Sequence, residues 1–210
     1  MGVRGRMRLG SLLVSALAVS LVAASLGLQG CGKDQAKQDF VDGVISIIEK
    51  NQSQPEIAEK GRNAFMAYYR SAFTDLESAA AAAESFTLSN EKDARSLQDL
   101  QALGKPDAEA EEIAGKLRSG IETMDEGNAV YASELEKAPG QSVEERSKVF
   151  QATAGAMDLY LDGISAIISS CEMLGEYAKK HGLDGAAEIS KWVDKFTEER
   201  ESIEEAAGQM

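Results

Sequence analysis

Histidine is nearly absent from this chain, and the side chains that carry most enzyme chemistry are correspondingly scarce. The single histidine among 210 residues is His181, preceded three and four residues earlier by Ala178 and Tyr177. The Glu-x-x-His motif of carboxylate-bridged metal pairs in helical bundles is therefore missing. The same shortage excludes Ser–His and Cys–His nucleophile pairs and histidine-rich zinc sites. No glycine-rich phosphate loop or dinucleotide fingerprint occurs either. We therefore predict a protein that is not an enzyme and that holds no metal and no other cofactor.

Proline is also rare, and its three positions mark the ends of helical patterns. Pro55, Pro106 and Pro139 all fall between apolar stripes and interrupt none of them, as expected where proline marks helix starts and stops. No strand-like alternation and no hairpin dipeptide lies between the apolar runs. The sequence therefore predicts an all-α fold, an elongated antiparallel helical bundle of about four main helices plus one or two short ones.

Apolar residues at helical spacing predict where the helices lie. The predicted helices cover Gln35–Glu49, Ser53–Phe86, Asn90–Leu103, Asp107–Lys137, Val143–His181 and a last segment that begins after Asp184. Ser53 and Glu56 are spaced as a capping box, and so are Ser142 and Glu145. Ser89 is interpreted as the cap of the short segment that follows it. The helix over Val143–His181 has the longest regular pattern and is predicted to be central.

Two glycines interrupt the predicted helix over Asp107–Lys137. Gly120 and Gly127 lie seven residues apart, near the same face as the apolar stripe. Glycine costs about 1 kcal/mol relative to alanine inside a helix, so its presence here has a reason. The glycines predict a close approach of a neighbouring helix. The alternative is a groove or cavity lined by this helix, since bundle cores are where ligand sites form.

The remaining candidate side chains are interpreted as packing or as solvated surface. Adjacent helical residues diverge by about 100° around the axis, so paired acids do not converge on one proton or metal. The pairs are Glu111-Glu112, Glu144-Glu145, Glu198-Glu199 and Glu204-Glu205. Methionines and aromatic residues occur at core spacing and are interpreted as packing. They include Met66, Met124, Met157, Met173 and Trp192.

The first 31 residues have the three parts of an export signal. Arg4, Arg6 and Arg8 form a positive start with no acid beside them, and residues 11–28 are almost wholly apolar. The run ends in Leu28-Gln29-Gly30-Cys31, which resembles the lipobox of bacterial lipoprotein precursors: an aliphatic residue, a small residue and then the obligatory cysteine. The resemblance implies that the Cys31 thiol receives a diacylglycerol group and that a peptidase cuts before Cys31.

The resemblance also divides the chain and implies its location. Residues 1–30 are the lipoprotein signal peptide, 31–36 the lipidated N-terminus and short tether, and 37–210 the helical bundle domain. Because Gly32 is not the aspartate that retains enteric lipoproteins at the inner membrane, the resemblance implies the outer membrane of a Gram-negative cell, facing the periplasm. The start of the first helix, Gln38-Asp39-Phe40-Val41, is similar to that of helical bacterial lipoproteins of unknown function.

Two other interpretations of the N-terminus stay open. Ala23-Ala24-Ser25 offers the small residues of an ordinary signal cleaved elsewhere. The apolar run is also near the lower limit of spanning length, so an uncleaved membrane helix is the second alternative.

Charge and cysteine content restrict the partners of the mature chain. Loss of three arginines with the signal leaves 19 basic against 35 acidic residues, and the formal net charge changes from −13 to −16. Such a surface repels nucleic acid and anionic headgroups, so we predict no nucleic-acid partner.

Cys171 is then the one remaining free thiol, and its place on an apolar stripe predicts a buried, inert side chain.

The predicted lipid anchor and the absence of catalytic and metal-binding motifs together predict a membrane-attached interaction or structural module of the cell envelope. Its contacts are the membrane, through the lipid on Cys31, and an envelope protein or the cell wall. The alternative is a helical-bundle carrier of a small or apolar ligand, with its cavity near Gly120 and Gly127.

Overall fold

The computed structural model describes residues 32, 34–50, 54–152 and 154–208, which form seven α-helices, one short 3₁₀ turn and no strand. The helices are α1 (34–50), α2 (Gln54–Arg70), α3 (Leu76–Ala102), α4 (Ala108–Lys137), α5 (Val143–Ala152), α6 (Ala154–His181) and α7 (Ala186–Gly208), with the 3₁₀ turn at Ala138–Gly140. The all-α bundle predicted from the sequence is confirmed. The signal segment, Cys31 and the predicted cap Ser53 lie outside the described residues.

The central pair of the bundle is α4 and α6, which pack against each other along most of their length. They run antiparallel, since Lys180 Nζ lies 2.6 Å from Glu109 Oε2 near one end and Lys116 Nζ donates to Ser169 Oγ at 2.7 Å further along. Helix α3 packs on α4, α2 on α3, and α7 on α6. A helix of 30 residues, as α4 is, spans about 45 Å.

Buried apolar residues form two clusters along this axis. The larger cluster joins α1 to α4, α6 and α7, and the α1 residues Phe40, Val41 and Val44 are almost completely buried in it. The predicted first helix, Gln35–Glu49, is therefore confirmed within a residue at each end. The smaller cluster joins α2, the first half of α3, the end of α4 and the start of α6. Polar residues separate the two clusters on α3, as described below.

Helices α4 and α6 approach each other through glycine. A Cβ atom on Gly120 would lie 2.9 Å from the carbonyl oxygen of Gly163, and one on Gly127 would lie 2.6 Å from that of Ala156. The predicted close helix approach is confirmed. At these two glycines the α6 backbone fills the space, so neither glycine opens a cavity itself. The α4 helix nevertheless lines two small cavities beside them, through Met124 and Asn128, as described below.

The predicted continuous helix over Ser53–Phe86 is wrong, because the chain turns between α2 and α3. Ala72 and Phe73 have left-handed backbones, with φ of 52° and 64°. The Ser71 hydroxyl accepts hydrogen bonds from the backbone N–H groups of Thr74 and Asp75 at 3.1 and 2.9 Å, which competes with helix continuation.

The α3 helix then starts at a new cap and runs further than predicted. Asp75 accepts from the Ser78 N–H at 3.1 Å as the N-cap of α3. From there α3 continues to Ala102, so the predicted break before Asn90 is also wrong. Ser89 is a buried residue within the helix, not a cap.

Arg146 on α5 holds this turn in place. Its guanidinium donates to the backbone carbonyls of Phe73 at 2.8 Å, Ala138 at 2.8 Å and Gln141 at 2.7 Å. One side chain therefore joins the α2–α3 turn to the α4–α5 turn. These three bonds offset the cost of the left-handed conformation at Phe73.

The capping box at Ser142 and Glu145 is confirmed. The Ser142 N–H donates to Glu145 Oε2 at 2.7 Å, and the Glu145 N–H donates to Ser142 Oγ at 3.3 Å. The helix predicted over Val143–His181 corresponds to α5 and α6; residue 153 between them and the side chain of Phe150 lie outside the described part of the chain.

Candidate functional site

A groove open to solvent lies between α2 and α7, and we call it the outer groove. Its volume is about 510 Å³. Arg62, Asn63 and Met66 line it from α2, and Trp192 and Phe196 line it from α7. The groove therefore combines apolar surface with charged and amide groups at one accessible position on the bundle.

An ion pair crosses the groove between its two walls. Arg62 Nη1 lies 3.1 Å from Glu199 Oε1, and the two side chains are 25% and 15% exposed. The Tyr160 hydroxyl on α6 donates to the same Glu199 oxygen at 3.4 Å. Burial, and next the negative charge of Glu199, raise the pKa of Tyr160 well above its usual value. Tyr160 is therefore a neutral donor at any physiological pH.

Next to this ion pair lies a small, partly open pocket, which we call the acidic cavity. Its volume is about 60 Å³. Apolar residues of α1, α4 and α6 form most of its wall, including Ile48, Ile121 and Ile164, whereas α3 contributes Ser89, Asp93 and Ser96. All three α3 side chains are at least 97% buried.

A second small, partly open pocket, which we call the amide cavity, is named for Asn128. Its volume is about 50 Å³, and its apolar wall is formed by aromatic, methionine and isoleucine side chains. They are Phe65, Met66, Phe86, Tyr131, Met157 and Ile203. The two cavities share Ser89 and Tyr160 as lining residues, and Arg62 belongs to both the amide cavity and the outer groove.

Asn128 is the unusual side chain in this region. It is 1% exposed, and neither its Oδ1 nor its Nδ2 forms a hydrogen bond within the described part of the chain. Buried polar side chains in folded proteins almost always have a partner, because desolvation without one costs about 1–3 kcal/mol. An unpaired amide that lines a cavity therefore calls for a specific explanation.

Two carboxyl groups meet beside this region, at the interface of α3 and α4. Asp93 is 2% exposed and forms a hydrogen bond with the partly buried Asp125. Burial is the largest cause that raises the pKa of Asp125 to about 8, followed by the charge and hydrogen bond of Asp93 and then by Glu122. Near neutral pH the pair therefore holds one proton between its two carboxyl groups.

The sequence interpretation missed these polar residues, although a signal was present. Phe86, Ser89, Asp93, Ser96 and Leu100 follow one another at spacings of three and four, the repeat of a buried helical stripe. On α4, Asn128 is likewise in phase with its buried neighbours Met124 and Tyr131. Polar residues that recur at the spacing of a buried helical stripe are therefore better indicators of this site than pairs of adjacent acidic residues are.

Several other predicted residues are described by the structure. Cys171 is 1% exposed, and burial raises the pKa of its thiol to about 12, which confirms a buried, inert side chain. Glu198 is exposed as predicted, whereas Glu199 turns inward to Arg62. The interpretation of Glu199 as solvated was wrong, because a residue 100° further around the helix faces the groove.

The described residues contain no helix that is long and apolar enough to cross a membrane. Within the same residues, no group of three or more histidine, cysteine or acidic side chains is arranged to hold a metal ion. The lipidation site predicted at Cys31 lies outside them.

Comparison with known proteins adds no assignment. No family model matches the chain, and no curated protein and no solved structure is significantly similar to it. The prediction of an envelope-protein or cell-wall partner stays a prediction.

Proposed function

We propose that this protein is a bacterial lipoprotein, anchored through Cys31, whose helical domain binds a small ligand in the interior behind the outer groove. The observation that carries the ligand-binding part is Asn128, whose side chain is 1% exposed, lines a cavity and has no hydrogen-bond partner among the described residues. The anchor rests on the lipobox residues Leu28 to Cys31.

Energetics support a binding role for this interior. A leucine at position 128 would fill space without the desolvation cost of an unpaired amide. A core selected for stability alone would also not place Asp93, Ser89 and Ser96 in the buried stripe of α3. The polar interior costs stability that a bound ligand restores by occupying the site.

Access to the interior supports the same role. Met66 and Arg62 line both the outer groove and the amide cavity, so a ligand that passes between them moves from solvent to Asn128. Helix α1 begins at residue 34, only a few residues after Cys31. Lipid on Cys31 would therefore hold the end of the bundle where α1 begins at the bilayer surface. Lys37 near the start of α1 pairs with Asp107 at 3.5 Å, and Asn128 lies about 30 Å further along α4.

Blocking the entrance tests the binding function. Met66→Trp places a large ring between the outer groove and the amide cavity, whereas Tyr69→Trp enlarges an existing ring elsewhere on α2. Small neutral compounds screened by thermal shift should include some that stabilise the wild-type chain and the Tyr69→Trp variant but not Met66→Trp. Stabilisation of all three alike would place binding elsewhere and contradict the proposal.

The anchor has a separate test. Mass spectrometry of the membrane fraction should give a mature chain that starts at residue 31 and carries acyl mass. Cys31→Ser removes the thiol that takes the lipid, and this variant should remain unprocessed. A Cys31→Ser chain that is cleaved and sediments with membranes as the wild type does would overturn the lipoprotein assignment.

A further inference from the structure

The ligand group that the amide cavity accepts can be deduced from the hydrogen-bonding capacity of Asn128. Its side chain presents one acceptor, Oδ1, and one donor group, Nδ2, side by side. Neither forms a hydrogen bond with a protein group among the described residues. A ligand that satisfies both needs an adjacent donor and acceptor of its own.

Four common head groups differ in how they meet this requirement. An ammonium group has donors only, and a carboxylate has acceptors only, so each leaves one atom of Asn128 unpaired. A hydroxyl group is one atom and cannot face both at once in good geometry. A primary carboxamide presents N–H and C=O together and forms two parallel hydrogen bonds with Asn128.

The charges around the cavity also favour an uncharged head. The guanidinium of Arg62 is paired with Glu199 at 3.1 Å, which reduces its capacity to compensate a ligand carboxylate. Apart from the Ser89 hydroxyl and Asn128 itself, the other walls are aromatic, thioether or aliphatic groups, with Phe86 and Tyr131 stacked at 5.4 Å between ring centroids. Burial in such a wall disfavours any net charge on the ligand.

Size determines how the rest of the ligand lies. A cavity of about 50 Å³ holds the equivalent of about four water molecules, enough for a carboxamide head and little else. Arg62 and Met66 line both this pocket and the outer groove, so the remainder can lie in the groove, where Trp192 and Phe196 offer apolar surface.

We propose that the site binds a primary carboxamide with an unbranched apolar tail, its head paired with Asn128 and its tail in the outer groove. This inference rests on the proposed ligand-binding function and names the ligand class.

A head-group series of constant chain length tests it. The full chain, reconstituted in phosphatidylcholine vesicles, is titrated with hexanamide, hexanoate, hexylamine and 1-hexanol. Trp192, the single tryptophan, lines the outer groove and reports binding by its fluorescence. Hexanamide pairs both polar atoms of Asn128, one more than each of the other head groups pairs in good geometry. This additional hydrogen bond predicts that hexanamide binds about tenfold more tightly than each of the other three.

Asn128→Leu removes the recognition group and keeps a side chain of similar size. This variant should lose the preference for hexanamide, so that the four affinities fall within about threefold of one another. Gln101→Leu is the control, since Gln101 is exposed on α3 and lines neither cavity nor the outer groove. It should keep the preference.

The remaining outcomes separate the two proposals. Equal binding of all four compounds by the wild type, still blocked by Met66→Trp, overturns carboxamide recognition and leaves the binding function standing. A preference for hexylamine would place the ligand's head group in the acidic cavity, and this result would also overturn carboxamide recognition. If none of the four binds, carboxamide recognition is overturned, and the screen with Met66→Trp decides the binding function by itself.

Discussion

Arg62 on α2 and Glu199 on α7 are 137 residues apart in sequence and form an ion pair of 3.1 Å across the outer groove. Helices α2 and α7 otherwise pack mainly on α3 and α6 respectively, so this pair is a principal link between the two groove walls. Glu199 lines the acidic cavity and Arg62 lines the amide cavity, so the strength of this ion pair affects both the stability of the fold and the entry of a ligand.

Removing one partner of this pair should be clearly destabilising. Arg62→Met leaves the Glu199 carboxylate, 15% exposed, without its cation, and we expect a loss of about 1–3 kcal/mol in the free energy of unfolding. The double variant Arg62→Met/Glu199→Met should lose less than Arg62→Met alone. Urea denaturation measures both values. Lys148→Met is the control, because its pair with Glu144 is exposed and should be worth less than about 0.5 kcal/mol.

The glycine contact between α4 and α6 predicts opposite effects of alanine at two positions of one helix. Gly120→Ala places a methyl group 2.9 Å from the Gly163 carbonyl oxygen and should cost about 1–3 kcal/mol. A Cβ atom on Gly115, also in α4, meets nothing within 4 Å, so Gly115→Ala should gain about 0.5–1 kcal/mol. Thermal unfolding of both variants measures the difference, and a gain from Gly120→Ala would refute the close approach.

The buried acid pair predicts a decrease of stability with rising pH. The folded protein raises the pKa of Asp125 to about 8, whereas an unfolded aspartate titrates near 3.9. Between these values the folded state holds a proton that the unfolded chain releases. The resulting stabilisation is complete below about pH 4, declines as the pH rises and is lost above about pH 8.

Asp125→Asn should remove this part of the pH dependence. Urea midpoints between pH 5 and pH 8 should fall less steeply for Asp125→Asn than for the wild type. Asp162→Asn, on an exposed part of α6, should follow the wild type. Parallel curves for all three proteins would show that Asp125 binds no proton in this range.

The unpaired amide predicts a variant that is more stable than the wild type. Asn128→Leu replaces a completely buried polar group by an apolar one of similar size and should raise the free energy of unfolding by about 1–3 kcal/mol. Asn63→Leu changes an exposed residue and should stay within about 0.5 kcal/mol of the wild type. A loss of stability in Asn128→Leu, measured by urea denaturation, would mean that Asn128 has a structural role in the unliganded protein.

Periodicity predicted much of the fold because most helices have an uninterrupted apolar stripe. The bounds of α4 and the start of α7 follow from such stripes and from caps such as Asp107. The turn between α2 and α3 was missed because Ala72 and Leu76 keep the apolar phase across it. The helix is stopped by the hydroxyls of Ser71 and Thr74 and the carboxylate of Asp75. These three polar side chains were the sequence signal that indicates the turn.

The candidate site was harder to predict, and for a physical reason. Ser89 and Asp93 could be identified as polar residues in a core stripe, but the stripe does not tell whether a partner or a cavity faces them. Arg62 and Glu199 meet only through the packing of α2 and α7 around a common centre. Pairing at such sequence distance depends on the tertiary arrangement, which local patterns do not contain.

The side-chain amide signal of Asn128 in a ¹H–¹⁵N NMR spectrum is the most direct test of the account. The side-chain amide signal that is missing from the spectrum of Asn128→Leu is thereby assigned to Asn128. Hexanamide should shift this signal to saturation and slow the exchange of its protons, while 1-hexanol should have a smaller effect. An Asn128 signal that stays unchanged at hexanamide concentrations that alter the Trp192 fluorescence would contradict the account.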